Sequence, residues 1–346
     1  MGTTLYLALI TMGLAYAFDF VNGFHDTANA VTTIIYTKAM KARAAIIMSG
    51  VLNFLGAVIV GTAVAMIITK LIPKGRVTTE LILAALIGGL IWNIGTWYQG
   101  LPVSSSHTLV GGLFGAGLAA NWLSGVHWSA LTQIVLALLI SPFLGMGLSL
   151  AVTRVSRLLS DRFVSDKDYY LSDTYVNGGK PPTIFRWMTI LSGAAVSFSH
   201  GSNDGQKTMG VITLILIAEF GHPPTAGVPL WVVITAATAI GLGTMIGGRR
   251  IIRTVGEKIG HAEFTQVQGF GAQFAAAVII LLGSRFGAPV STTHVLSSAI
   301  VGATISEHTH KGVNTKTVSS ILLAWLVTLP AAALLAAFAY FAVGLI

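Results

Sequence analysis

Long apolar segments, almost free of charged residues, run through the whole chain. The first extends from Leu5 to Tyr36, and further segments of the same character follow it. A helix of about 20 apolar residues crosses a bilayer, and these segments are far longer than the roughly 10-residue strands of a membrane barrel. Only 9% of the residues are charged, against about 25% in a typical soluble domain. The sequence therefore predicts an all-α, polytopic membrane protein.

Polar residues interrupt the first apolar segment at a depth where ionisable groups are costly and usually functional. The same polar block returns later in the chain, with its glycine and aspartate equally spaced and its histidine and asparagine exchanged. The first copy contains Asn22, Gly23, His25 and Asp26, and the second contains His200, Gly201, Asn203 and Asp204. As one helix, residues 5–36 would be about 48 Å long. Such a helix must tilt strongly or break, and we predict a discontinuous first helix in each half, broken in the first half at Gly23.

A second motif also occurs twice, as Pro102-Val103-Ser104-Ser105-Ser106-His107 and Pro289-Val290-Ser291-Thr292-Thr293-His294. Proline ends the preceding segment, and serine or threonine caps the helix that follows. Three consecutive hydroxyl-bearing residues gain most where they line a buried site, so we expect each motif to form the tip of a re-entrant helical hairpin. Two full membrane crossings would return the chain to the same face of the membrane as a re-entrant hairpin does, so that alternative stays open at this point.

Two motifs that recur in the same order indicate an internal duplication. We predict a first repeat over residues 1–153, a linker over 154–186 and a second repeat over 187–346. Lysine and arginine concentrate in the linker and at one set of segment ends, which makes that side cytoplasmic and places both termini outside. An odd number of segments in each repeat makes the repeats inverted. The five predicted segments per half are 5–36, 44–69, 81–98, 103–120 and 128–152, then 187–220, 229–248, 264–282, 290–305 and 318–346.

The two hairpin tips are candidate substrate ligands. A helix N-terminus offers free N–H donors and the positive end of the helix dipole, so two tips that approach each other can surround a tetrahedral oxyanion. The alternative is that the hydroxyls only cap ordinary helices. The candidate residues are Ser104, Ser105, Ser106, Thr108, Ser291, Thr292 and Thr293.

Asp26 and Asp204 are candidate coupling-ion residues, together with His25 and His200 beside them. Bare carboxylates would repel an anion unless each holds a proton or a cation, which is the logic of ion-coupled symport. The titration range of histidine suits proton coupling. The alternatives are buried structural carboxylates satisfied by backbone donors and hydrogen-bonded structural histidines.

Asn29, Asn203 and Lys207 complete the candidate substrate ligands. The two amides either bind substrate beside the aspartates or only join helices. Lys207 takes in the second block the place of Asn29 in the first, so its ammonium can replace a bound cation or contact the anion. A lysine that reaches from a helix end to the membrane surface is the alternative. Asp19, seven residues before Asp26 on nearly the same helix face, is either a proton-relay group or a structural residue.

Other classes of function find little support in the sequence. The chain has no cysteine, no G-x-S-x-G elbow and no Walker A motif, so we expect neither an enzyme nor an ATP-driven pump, and no cofactor. The net charge of +8 comes from basic residues at membrane borders and does not indicate nucleic-acid binding. A passive anion channel is the least favoured membrane alternative.

The duplicated Gly-x-x-Asp block, followed by the Pro-Val-Ser motif, resembles the inorganic phosphate transporter (PiT) family over nearly the whole chain. The resemblance implies secondary transport of inorganic phosphate, driven by Na⁺ or H⁺, through an inverted-repeat fold. It places the substrate between the two aspartate blocks and the two tips, and it implies a homodimer. Asp26, Asn29, Asn203 and Asp204 match the family signature, and so do both tips.

Two departures from the family pattern concern the coupling ion. Sodium-coupled members resemble Gly-Ala-Asn-Asp-Val-(Ala/Ser)-Asn in both halves, whereas His25 and Lys207 stand here in place of asparagines. An imidazole and an ammonium are poor Na⁺ ligands, and the pattern is similar to the bacterial low-affinity branch, which is proton-coupled and accepts neutral metal–phosphate complexes. We therefore expect alternating-access symport of phosphate with H⁺ in a bacterial inner membrane, with Na⁺ coupling or sulfate transport as alternatives.

Overall fold

The computed structural model describes residues 2–163, 183–259, 265–308 and 312–344, and these ranges are almost entirely helical. Side-chain caps mark several helix starts, with Thr78, Thr265 and Asn314 each accepting a hydrogen bond from a backbone N–H of the first turn. The α-helices in the described ranges are α1 (Gly2–Tyr36), α2 (Ala42–Ile59), α3 (Ala63–Ile68), α4 (Thr79–Gln99), α5 (Ser105–Asn121), α6 (Trp128–Phe163), α7 (Thr183–Phe220), α8 (Leu230–Ile246), α9 (Arg249–Lys258), α10 (Gln266–Arg285), α11 (Thr292–His308) and α12 (Thr315–Val343).

Six of the described helices, α1, α2, α4, α6, α10 and α12, are long and apolar enough to cross a membrane. The pair α8 and α9, bent by 63°, makes a seventh candidate if the two helices form one span. The predicted all-α, multi-pass membrane protein is thereby confirmed. Helices α5 and α11 are shorter, with 17 residues each, or about 25 Å against a hydrocarbon core of about 30 Å.

The tips that precede α5 and α11 lie inside the protein. Val103, Ser104, Ser291 and Thr292 are all buried, and so are their neighbours in both tips. The buried tips fit the re-entrant form expected for α4 with α5 and for α10 with α11, which stays a prediction. Irregular backbone at this depth is tolerated because protein surrounds it.

The predicted break in the first helix of each half is wrong. Helix α1 is continuous through Gly23, and α7 is continuous through Gly201. A Cβ atom at Gly23 would lie 2.4 Å from the carbonyl oxygen of Ile240, and one at Gly201 would lie 2.0 Å from that of Asn53. The glycines therefore allow α1 to pack closely on α8 and α7 on α2. Glycine inside a helix costs only about 1 kcal/mol, which close packing offsets without a break.

The chain breaks in the second segment of each half instead. The predicted helix over residues 44–69 is split into α2 and α3 at Gly61, whose φ is 105°. In the second half the break separates α8 from α9 at Gly247, whose φ is 77°. The start of α3 is capped from a neighbouring helix, because Gln206 Oε1 accepts a hydrogen bond of 2.8 Å from the N–H of Val64. Length and hydropathy alone did not reveal this cap.

Contacts between the halves are reciprocal. Helix α5 packs on α12 and α11 packs on α6, so the last helix of each half covers the hairpin of the other. In the same way α1 packs on α8 and α7 packs on α2. The inverted orientation of the halves and the boundaries at residues 153 and 187 stay predictions. Helices α6 and α7 extend into the predicted linker from both ends, and residues 164–182 lie outside the described residues.

Candidate substrate and ion site

The two polar blocks meet where α1 and α7 pack against each other. Asp26 is 1% exposed and Asp204 is completely buried. Both carboxylates approach the same hydroxyl, since Ser105 Oγ lies 3.3 Å from Asp26 Oδ2 and 3.1 Å from Asp204 Oδ2. The site therefore joins both halves of the protein around the first hairpin tip.

Asp26 is surrounded by donors from three parts of the chain. His25 Nδ1 lies 2.9 Å from Asp26 Oδ1. Thr293, in the second hairpin tip, donates to the same oxygen over 3.1 Å. With Ser105 on the other oxygen, Asp26 is the one carboxylate in the described structure that bonds to hydroxyls of both tips.

Asp204 is neutralised by a cation of its own helix. Lys207 Nζ lies 2.7 Å from Asp204 Oδ1, and both side chains are buried. Asn22, from α1, donates to Asp204 Oδ2 over 3.3 Å. Lys207 therefore does not reach towards the membrane surface, because its ammonium lies fully inside the site.

His200 faces both carboxylates. Its Nε2 atom lies 3.7 Å from Asp26 Oδ2 and 3.6 Å from Asp204 Oδ2. This nitrogen forms no hydrogen bond within the described ranges. One ligand atom from each of Asp26, His200 and Asp204 lies within 4.8 Å of the others. Two carboxylates at this distance repel each other unless a proton or a cation lies between them. The trio offers oxygen and imidazole nitrogen donors suited to such a cation.

The two tips begin their helices as the sequence predicted. Ser104 Oγ accepts a hydrogen bond from the N–H of His107, and Ser291 Oγ accepts one from the N–H of His294. Ser106 links the tips by donating to the carbonyl oxygen of Val290 over 3.1 Å. Two helix N-termini, both buried, thus point into one region.

Each tip is also bound by the polar block of the opposite half. Asn29 Nδ2 donates to Thr293 Oγ1 over 3.0 Å. Lys207 Nζ donates to Ser106 Oγ. Asn29 and Lys207 occupy equivalent places three residues after an aspartate, and each reaches the third hydroxyl of a tip. The site unites nine predicted residues: His25, Asp26, Asn29, Ser105, Ser106, His200, Asp204, Lys207 and Thr293.

Other predicted residues lie near the site without contacting the carboxylates. Ser104 and Ser291 serve as the two helix caps. Asn203 donates to Ser284 Oγ and to the carbonyl oxygen of Ala288, so it holds the turn of the second hairpin. Thr108 donates to the carbonyl oxygen of Ser104 within its own helix. Within the described part of the chain, the buried Thr292 forms no side-chain hydrogen bond.

The two histidines that follow the tips pack behind them. The rings of His107 and His294 lie 4.4 Å apart, and His294 stacks on Trp325 at 3.8 Å. Asn53, on α2, was missed by sequence reasoning, although it holds the ring of His200 through an Nδ1···Oδ1 contact of 2.5 Å. A single asparagine within the apolar stretch of residues 51–55 is the signal that could have revealed it.

Comparison with known proteins decides the family. Residues 22–336 match the phosphate transporter family, a range that holds both polar blocks and both tips. The chain belongs to the phosphate transporter family. Proteins of this family transport phosphate and are not enzymes, which confirms the resemblance drawn from the two repeated motifs.

Several curated members of the family are similar to the chain over nearly its whole length. A probable low-affinity inorganic phosphate transporter of Bacillus subtilis is 41% identical over 352 residues and is covered completely, as is this chain. The low-affinity inorganic phosphate transporter PitA of Escherichia coli is 31% identical, with 95% of each chain covered. A solved structure described as the sodium-dependent phosphate transporter is 28% identical and superposes with a TM-score of 0.83, covering 99% of this chain and all of its own.

Proposed function

We propose that this protein is a low-affinity phosphate symporter of a bacterial inner membrane, driven by H⁺ and working by alternating access. The observation that carries the proposal is the meeting of Asp26, Asp204 and both hairpin tips in one buried site. A buried site shared by two halves of a protein can open to either side as the halves move. The named relatives support phosphate as the substrate.

The hydroxyls of the tips provide a means of coupling. Ser105 and Thr293 now donate to carboxylate oxygens. A proton on Asp26 removes the negative charge that competes for these hydroxyls and makes them available to a phosphate oxygen. Because hydrogen bonds to charged acceptors are stronger than neutral ones, phosphate would then bind better with the proton than without it. This differential affinity is what symport requires.

Two residues favour H⁺ over Na⁺. Lys207 places an ammonium where a sodium-coupled site would have an amide, and that ammonium is already paired with Asp204. His25, also in an asparagine position, bonds to Asp26 through a nitrogen atom. Sodium prefers oxygen ligands, as hard cations do. Phosphate can enter as the free anion or as a neutral complex with a divalent metal, for which the trio of Asp26, His200 and Asp204 supplies ligands.

The second candidate is Na⁺-coupled symport through the same site. The solved structure similar to this chain is described as sodium-dependent, and the same trio of residues can hold a cation.

The proposed orientation places the linker in the cytoplasm and both termini outside, because basic residues such as Lys38, Lys41 and Arg43 lie at segment ends on the cytoplasmic side. The proposed homodimer rests on the family resemblance.

Uptake into vesicles that contain the purified protein tests the coupling ion. We expect phosphate to accumulate under an imposed pH gradient without Na⁺, and not under a Na⁺ gradient at equal pH.

Two variants test the residues in the same assay. Asp26→Asn should abolish accumulation while the protein remains folded and inserted. Lys207→Asn should introduce a response to the Na⁺ gradient, because an amide oxygen replaces the ammonium. Accumulation of phosphate by the unaltered protein under the Na⁺ gradient alone would decide for Na⁺-coupled symport. Uptake of sulfate that arsenate does not inhibit would contradict phosphate as the substrate.

A further inference from the structure

A third buried carboxyl lies on α1, two turns before Asp26. Asp19 is completely buried, and neither of its carboxyl oxygens forms a hydrogen bond within the described residues. Both aspartates of the central site, in contrast, accept hydrogen bonds. Removing an unpaired carboxylate from water is unfavourable, so burial of Asp19 without a partner penalises its anionic form.

The charged groups around Asp19 do not supply a partner. Asp204 and Lys207, both on α7, interact electrostatically with Asp19. The ammonium of Lys207 is already bound to Asp204 and Ser106. Neighbouring α8 carries no charged residue, and α4 carries only Glu80, in its first turn. The titratable group of α5, His107, stacks on His294. No ion pair to Asp19 is present in the described structure.

An amide connects Asp19 to the central site. Asn22, one turn further along α1, and Thr208 of α7 lie beside Asp19, although neither meets the geometry of a hydrogen bond to it. Its Nδ2 atom donates to Asp204 Oδ2, while its Oδ1 atom has no donor within the described ranges. A proton on Asp19 would supply an O–H donor, for which the unpaired Asn22 Oδ1 is an available acceptor. One proton would then satisfy two groups that are otherwise unpaired.

We propose that Asp19 is a second proton-binding site, which takes up and releases one proton in each transport cycle and communicates with Asp204 through Asn22. The proposal rests on the proton coupling proposed above and identifies Asp19 as a residue that binds the transported proton. In the uptake step a proton passes from water to a carboxylate oxygen of Asp19, which becomes a neutral carboxyl. In the release step the same O–H bond breaks and the proton returns to water on the other side of the membrane.

The site is present in one half only. The residue that corresponds to Asp19 in the second block is Ser197, which likewise lies seven residues before its aspartate. Ser197 donates to the carbonyl oxygen of Gly193 over 2.8 Å and is fully satisfied within its own helix. Ser197→Ala is therefore a matched control for a change at Asp19, at an equivalent depth and on an equivalent helix.

Two assays on the full chain in proteoliposomes separate the proton step from phosphate binding. The first measures phosphate accumulation under a pH gradient. The second measures exchange of labelled for unlabelled phosphate at equal pH on both sides, which requires no net movement of protons. We expect Asp19→Asn to lose accumulation and to retain exchange, because an amide cannot take up and release a proton. Ser197→Ala should retain both activities, and Asp19→Glu should accumulate phosphate with a shifted pH dependence.

Each other outcome has a defined meaning. Accumulation by Asp19→Asn at the level of Ser197→Ala would overturn the proposal, and so would loss of exchange in a folded Asp19→Asn protein, which would assign Asp19 to phosphate binding. If Asp19→Asn does not fold, as judged by size-exclusion chromatography, Asp19→Glu decides, and an unshifted pH profile overturns the proposal. If the unaltered protein accumulates phosphate only under a Na⁺ gradient, the proposed proton coupling fails whatever the Asp19 variants do.

Discussion

The two copies of the polar block differ in how their aspartates are neutralised. Asp204 is paired with the ammonium of Lys207 at 2.7 Å. Asp26 has no such cation and is held by His25 and by hydroxyls of the two tips. Asn29, which stands in the place of Lys207, donates to a tip as Lys207 does but brings no charge. The second half thus pairs its aspartate with a lysine, and the first half holds its aspartate through an imidazole and hydroxyls.

This difference shows how a duplicated protein can use its two halves for separate tasks. In the second half, the group that pairs with the aspartate is a side chain of the same helix. In the proposed mechanism, the carboxylate of Asp26 gains and loses a proton. The same asymmetry extends to Asp19 and its counterpart Ser197. In the proposed mechanism, ion coupling is therefore concentrated on α1, whereas α7 supplies the lysine that neutralises Asp204.

The largest effect on stability is expected at the buried ion pair of Asp204 and Lys207. Asp204→Asn leaves the buried ammonium of Lys207 without its partner, and breaking such a pair costs about 3–5 kcal/mol. Asp26→Asn strands no charge in the same way and should cost less stability. Thermal unfolding of the detergent-solubilised protein measures both. The double variant Asp204→Asn with Lys207→Asn should recover much of the loss, and equal destabilisation by the two single variants would contradict the asymmetry.

A smaller effect is expected at the second position of each tip. Ser105 contacts both carboxylates, whereas its counterpart Thr292 forms no side-chain hydrogen bond within the described ranges. Hydrogen bonds to charged groups contribute about 1.5–3 kcal/mol, so Ser105→Ala should weaken the apparent affinity for phosphate about ten- to hundredfold. Thr292→Val should change it much less. Phosphate uptake as a function of concentration tests the pair, and equal effects would show that the two tips act alike.

The smallest effect is expected at Asn29. Its bond to Thr293 joins two neutral groups, and a neutral hydrogen bond contributes about 0.5–1.5 kcal/mol. Asn29→Ala should therefore lower uptake only a few-fold, as that free energy implies, whereas Lys207→Ala, which removes the cation, should abolish it. Both variants are compared at equal amounts of inserted protein. A loss at Asn29 as severe as that at Lys207 would indicate that Asn29 binds the coupling ion directly.

Sequence reasoning predicted the parts of the site that are repeated motifs. The capping roles of Ser104 and Ser291 follow from local helix chemistry, which needs only a few neighbouring residues. Burial of Asp26 and Asp204 follows from the apolar segments around them. The same reasoning mistook Gly23 for a break, because a glycine at a close helix contact and a glycine at a kink look alike in sequence.

The remaining features depend on which helix faces which. Asn53 reaches His200 from α2, and Gln206 caps α3 from α7. Asn203 and Thr108 belong to the motifs but turn to a hairpin backbone and to their own helix. A motif gives the residue types at a spacing, but the direction of each side chain is set by the helices that pack against it.

The sequence by itself determined that the chain is a helical membrane protein, because the cost of exposing polar backbone in lipid leaves few other solutions. It also determined which residues were candidates for an anion and a cation. Only the tertiary structure decided that Lys207 neutralises Asp204, whereas Asp26 is held by His25 and by hydroxyls of both tips. That choice depends on distances of a few ångströms between helices far apart in the chain, and over such distances in a buried site the electrostatic energy changes by several kcal/mol.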